Sequence, residues 1–167
     1  MSYVSAHRRK YSQEEGDKAA NKFVKACEAI GYKAKKSTDK EDMYDHIDYW
    51  VKRKNHRNED IESGVDVKGS NHPHCVWVEF KNVIGKKGWM YGEAEFIAFE
   101  MPEENGFVVV RRQELADYAE LVVEETFVPK AEAYRKLYQR AGRQDVISLL
   151  YLDDLKELKS YKVLRYA

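Results

Sequence analysis

Three short runs decide the reading of this chain: His46-Ile47-Asp48-Tyr49-Trp50-Val51, Gly64-Val65-Asp66-Val67-Lys68-Gly69 and Cys75-Val76-Trp77-Val78-Glu79-Phe80-Lys81-Asn82. Each alternates at a period of two, the signature of a strand with one buried and one exposed face. Ile47, Tyr49 and Val51 share one side of the first, as do Val65 and Val67 in the second and Val76, Val78 and Phe80 in the third. The opposite side carries Asp48, then Asp66 and Lys68, then Glu79 and Lys81. The connections, Lys52 to Ser63 and Ser70 to His74, are polar and hold turn formers, so the simplest geometry is an antiparallel meander. Folded about the midpoints, Asp48 lies opposite Asp66, and Asp66 opposite Glu79. Like charges opposed on one sheet face are destabilising. A row of this kind is rewarded by a divalent cation.

Length and composition bound the rest. A chain of 167 residues, 43% of them hydrophobic and 35% charged, suits one soluble folded domain. The sequence predicts a basic arm over residues 1–11, a core with the site over 12–100, and strands and helices over 101–167 that complete the domain. No stretch approaches the roughly 20 apolar residues of a membrane span, and Met1 to Arg9 lacks the apolar run of a signal peptide, so a cytoplasmic location is expected. Two cysteines, Cys27 and Cys75, make no disulfide framework and are expected as small hydrophobes in a reducing compartment. The net charge is zero, but basic residues dominate from Arg8 to Arg57 and acidic ones from Glu93 to Glu125. Phosphate contacts need a basic surface rather than a basic protein.

Outside the acidic row, Ser12-Gln13-Glu14-Glu15 has the form of a capping box and predicts a helix. Ala20, Phe23, Val24, Cys27 and Ile30 form its apolar stripe, Gly31 its stop, and the valine face of the meander its packing partner. Tyr32 to Lys36 reads as a strand, Ser37 to Tyr44 as a polar connection, and Gly85-Lys86-Lys87-Gly88 as a turn, either a plain surface loop or one approaching phosphate. Phe96 to Phe99 and Phe107 to Val110 read as strands about a Pro102 to Gly106 turn, their continuous apolar runs suiting cover on both faces. Gln113 to Glu125 is a predicted helix buried through Leu115, Tyr118, Leu121 and Val122, and Lys130 to Ala141 another. Val146 to Leu152 is strand or helix. Asp153 to Leu158 is a short helix before a Lys- and Tyr-bearing tail.

Phosphodiester hydrolysis needs an activated water, neutralised phosphoryl oxygens and help for the leaving oxygen. Mg²⁺ or Mn²⁺ supplies these, and Mg²⁺ is typically held by one or two protein carboxylates with substrate completing the shell. Asp48 and Asp66 suit the ligand role. Lys68 would orient or deprotonate the water, or stay charged beside the transition state. Elsewhere, His72-Pro73-His74-Cys75 holds zinc-ligand types without a second cluster and reads as a polar turn. His46 reads as a surface histidine, and Trp89 and Tyr91 as buried aromatics rather than base-stacking ones.

The acid followed by Asp66-Val67-Lys68 resembles the PD-(D/E)xK nuclease superfamily, with Ile47 standing where the pattern has proline. Asp66 followed by Glu79-Phe80-Lys81 matches the same pattern, and both registers stay open. In one, Asp48, Asp66 and Lys68 form the core; in the other Asp66, Glu79 and Lys81 do, and Glu79 can also serve the first as an additional ligand or water-orienting group with Lys81 nearby. The resemblance implies an α/β, restriction-endonuclease-like fold with an αβββ-type core and a mixed central sheet flanked by helices. It implies metal ligation by Asp48, Asp66 and Glu79, with Glu15 or Glu14 as a counterpart of the glutamate that members often place on the first helix. It further implies a Mg²⁺- or Mn²⁺-dependent endonuclease acting on DNA in repair, recombination, homing or phage replication, and the homodimer that several members form. Lys52, Arg53, Lys86 and Lys87 are the candidate phosphate-binding residues. The competing expectations are a catalytically inactive nucleic-acid-binding protein of the same fold and an RNA-directed nuclease.

Overall fold

The computed structural model describes residues 17–69 and 72–167. The expected basic arm, the Ser12 capping box and Glu14 and Glu15 lie outside them.

Helix α1 runs over residues 17–29 and ends at Gly31, whose φ of +82° is the left-handed conformation that glycine adopts without strain. Its buried stripe is Ala19, Phe23, Ala26 and Cys27, while Ile30 of the expected stripe stays 54% exposed. Alanines at the contact let the helix lie close to the sheet. The strands β1 (Lys33–Lys36), β2 (Tyr49–Lys54) and β3 (Asp60–Lys68) follow as an antiparallel set. A helical turn, Glu41–Asp45, sits inside the connection expected to be purely polar.

The third strand of the expected meander departs from it. β4 (Cys75–Lys81) does not pair with β3; it pairs antiparallel with β9 (Val146–Tyr151) in a separate two-stranded ribbon. The place beside β3 goes to β5 (Phe96–Met101), which runs parallel to it and continues antiparallel into β6 (Gly106–Arg111). The reason is in the residues. β5 is apolar almost throughout and needs burial on both faces, whereas β4 hides Val76 and Val78 and turns Trp77 and Glu79 outward. A strand with one face to bury is better placed in an outer layer. β10 (Lys162–Arg165), within the tail, closes the far edge, giving a mixed six-stranded sheet in the order β1-β2-β3-β5-β6-β10.

Two cores result. Phe23 and Cys27 pack with Val51, Val65, Ala98 and Phe107 on the α1 side. Ile97, Phe99, Val108 and Val110 meet Val76, Val78 and Leu150 of the ribbon on the other, together with helices α2 (Arg112–Val122) and α3 (Leu152–Lys156). The fold is α/β with a mixed central sheet. α2 buries Leu115, Ala116 and Ala119; Leu121, expected inside, is 84% exposed because it falls on the opposite side of a helix of about 3.6 residues per turn.

The helix expected over Lys130 to Ala141 is absent. A single turn at Lys130–Glu132 and the two-residue β8 (Lys136–Leu137), parallel to β7 (Glu124–Phe127), occupy the segment. Arg135 adopts a φ of +54°, and its guanidinium ties to the buried Asp154 of α3, which also accepts from the Tyr118 hydroxyl at 2.7 Å. Losing Arg135 would leave the carboxylate of Asp154, 2% exposed, without its cation, so tertiary pairing overrides the local preference of the alanines.

Truncating Leu115 to alanine should cost about 2–5 kcal/mol in urea denaturation, whereas Leu121→Ala should change stability by under about 0.5 kcal/mol; equal losses would contradict this helix orientation. Gly106→Ala should also destabilise, by about 1–3 kcal/mol, because its added methyl group meets the Leu164 carbonyl of β10 at 2.1 Å.

Candidate functional site

Asp48 immediately precedes β2 and is fixed from three directions. Its backbone N–H donates to the Val65 carbonyl at 2.9 Å, its carbonyl accepts from Ser37 N–H at 2.9 Å, and its Oδ2 accepts from the Val67 N–H at 2.7 Å. The β2–β3 register pairs Tyr49 with Val65, so the next step outward sets Asp48 beside Asp66. The first pairing expected from the sequence is therefore realised. Gly64 contributes by leaving room for Ile47, whose Cδ1 stands only 3.0 Å from where a Cβ would be.

Asp66 is 3% exposed on the sheet face opposite α1. Its Oδ2 makes no hydrogen bond; Lys68 Nζ approaches to 3.3 Å as an ion pair rather than an aligned hydrogen bond. The lysine ammonium also lies 4.8 Å from the centre of the Trp89 ring. Trp89 is buried as expected, and Tyr91 is half-buried with its hydroxyl bonded to Glu120 at 2.7 Å.

The electrostatics follow from that burial. Desolvation, and then the neighbouring Asp66, push the Asp48 carboxyl from the usual carboxylate range up to about 6. Desolvation also raises Asp66, against the opposing pull of Lys68. Asp42, from the Glu41–Asp45 turn, is raised by burial and by Asp48. Asp42 was read in the sequence only as part of a polar connection; an acid in a turn has no periodic signature to mark it. His46, read as a surface residue, is half-buried with a φ of +55° and has its imidazolium disfavoured by burial and by Lys68.

The other candidates separate. Glu79 is not a cross-strand neighbour of Asp66, because β4 left the sheet, but it lines a cleft of about 390 Å³ that Lys68 also lines, and its Oε1 accepts from the Trp89 N–H at 3.3 Å. Lys81 stands exposed at the end of β4, bridged through its backbone to Lys87. Lys86 and Lys87 sit exposed on a turn organised by Asn82, whose Oδ1 accepts from the N–H groups of Ile84 and Lys86. Lys52 shares the Asp48 face about 13 Å further along the strand and is 4.0 Å from Asp60. Arg53 faces the α1 side instead, donating to Ser63 Oγ at 2.8 Å and lying over Phe96, so the fold itself occupies it. His74 pairs with Glu103 at 2.9 Å, and both cysteines are free, Cys27 buried and Cys75 half-buried.

Among the described residues no three His, Cys, Asp or Glu side chains form a preformed metal cage. Mg²⁺ seldom requires one, being held through one or two carboxylates plus water and substrate phosphate. Asp48 beside an Asp66 that keeps a buried oxygen without a hydrogen bond fits that donor set. No described helix is long and apolar enough to cross a membrane.

A carboxyl raised on folding binds more protons in the folded than in the unfolded chain between about pH 4 and pH 6, so stability falls as pH rises through that window. Asp48→Asn should therefore stabilise the metal-free protein above pH 6 by up to about 3 kcal/mol and have little effect near pH 4. Urea denaturation at both pH values with a chelator checks this; an identical pH dependence in both proteins would contradict it.

Against known protein families, curated proteins and solved structures, the chain matches no family model, no curated protein and no solved structure.

Proposed function

We propose that the chain is a metal-dependent nuclease that hydrolyses DNA phosphodiester bonds within a strand, using Mg²⁺ or Mn²⁺. The observation that carries the reading is the half-buried Asp48 beside the buried Asp66, with Lys68 3.3 Å from the second carboxylate. Two acids pushed together in a poorly solvated place cost stability, and such costs concentrate where a site needs them. The arrangement also agrees with the PD-(D/E)xK resemblance in its first register.

Asp48 and Asp66 would hold the cation, which when bound supplies Lewis-acid polarisation of the phosphoryl group and a more acidic water. The residues divide the remaining work. Asp48, anchored on the Val67 N–H, keeps its carboxyl fixed relative to β3. Because that carboxyl is raised to about 6, it gives up its proton near neutral pH to become a ligand. Lys68, held between Asp66 and the face of Trp89, presents its ammonium to charge developing on phosphoryl oxygens. Glu79 lies at the cleft beyond Lys68, placed to orient a water or a second group of the substrate.

Incubation with duplex, single-stranded and branched DNA should give cleavage with Mg²⁺ or Mn²⁺ and none with chelator. Asp66→Asn and Lys68→Ala should each slow it about 10²–10³-fold while circular dichroism stays that of the folded protein. DNA binding with no cleavage in any divalent metal would favour an inactive binder, and cleavage of matched RNA alone an RNA-directed enzyme. Independently of activity, saturating Mg²⁺ should raise the melting temperature of the wild type, and Asp66→Asn should abolish the rise.

A further inference from the structure

The cleft that begins at Lys68 and Glu79 is built mainly by elements outside the acidic pair. Across the ribbon, Glu79 pairs with Ile147 and Ile147 with Tyr138, so these three residues form one row with Tyr138 roughly 10 Å from Glu79. Reciprocal backbone hydrogen bonds between Tyr138 and Ile147, at 2.8 and 3.0 Å, fix that wall. Trp77 shares the Glu79 face two residues earlier on β4, and its ring centre lies 5.9 Å from that of Tyr138 with the planes 44° apart. Both rings are only half-buried. Two cations complete the wall: the exposed Lys130, and Arg140, whose Nε is held by the fully buried Asp145 at 2.5 Å. The carboxylate of Glu100, whose residue also borders the cleft, is taken up by Tyr166 at 2.8 Å and Lys22 at 3.5 Å.

An aromatic wall beside two cations, one of them anchored, in a space of about 390 Å³, matches one nucleotide better than a paired duplex. Every base has a stackable face, and the phosphate linking it to the strand would meet Lys130 or Arg140. We infer that this cleft receives an unpaired nucleotide of the DNA strand, its base against Trp77 and Tyr138, while the neighbouring phosphodiester lies at Asp48, Asp66 and Lys68. The inference rests on the nuclease reading and narrows its substrate class to DNA with an unpaired segment, such as a flap, gap or single strand.

The test is fluorescence anisotropy of a labelled oligothymidylate and of a blunt duplex of equal length, with chelator present so that nothing is cut. The wild type should prefer the unpaired strand. Trp77→Ala should weaken that binding about 5- to 150-fold and bring the unpaired-to-paired ratio towards one, whereas Trp77→Phe, which retains a stacking face, should largely restore it. Should Trp77→Ala fail to fold by circular dichroism, Tyr138→Ala carries the same expectation. A folded variant that keeps the wild-type ratio overturns the cleft assignment, even if Mg²⁺-dependent cleavage proceeds and the nuclease reading stands. A ratio that collapses in a protein unable to cut any substrate supports the cleft and counts against the nuclease reading alone.

Discussion

The acceptance by Asp48 Oδ2 of the Val67 backbone N–H, at 2.7 Å, is the contact on which the arrangement turns. It ties the end of the connection before β2 to the residue between Asp66 and Lys68. The β2–β3 ladder sets the register, and this hydrogen bond holds its end, with the two carboxyls side by side and Lys68 on the same face. Burial then does the electrostatic work. Poorly solvated, each carboxyl resists ionisation, and the lysine counters only part of that resistance.

The displacement of β4 gives the site its surroundings. Had β4 joined the sheet beside β3, Glu79 would have lain against Asp66 and three acids would have crowded one face. Instead β5 takes the central position, and β4 folds over the sheet with β9 as a ribbon whose outward residues line a cleft. Gly88 enforces the close return of the following turn: a Cβ there would stand 2.2 Å from the Glu79 carbonyl. The same turn delivers Trp89, which supports the lysine from below. The acids, the lysine and the cleft are thus consequences of which strand needed burial on two faces.

The segment after α2 shows how a buried charge redirects a chain. Asp154 is 2% exposed and gathers Arg135 and the hydroxyls of Tyr118 and Tyr134. Satisfying it requires Arg135 in a left-handed conformation that an α-helix does not allow. The segment therefore opens into turns and a short strand, and it is this opened form that carries Lys130 and Tyr138 to the cleft.

Alternation, short apolar runs and turn chemistry, all local properties, were enough to mark β2, β3, β4, β5 and β6, the end of α1 at Gly31 and the opposition of Asp48 and Asp66. A hairpin's register depends on nearby residues, so the chain itself encodes it. Partner choice between strands distant in sequence was not legible, because periodicity says that a strand has a buried face but not which layer will cover it. For that reason the position of β4, the strand pairing of the tail, the orientation of Leu121 and the loss of the helix at Lys130 to Ala141 were decided by competition for burial and by Asp154. Asp42 and His46 reach the acidic pair through a turn, and only the folded chain could bring them there.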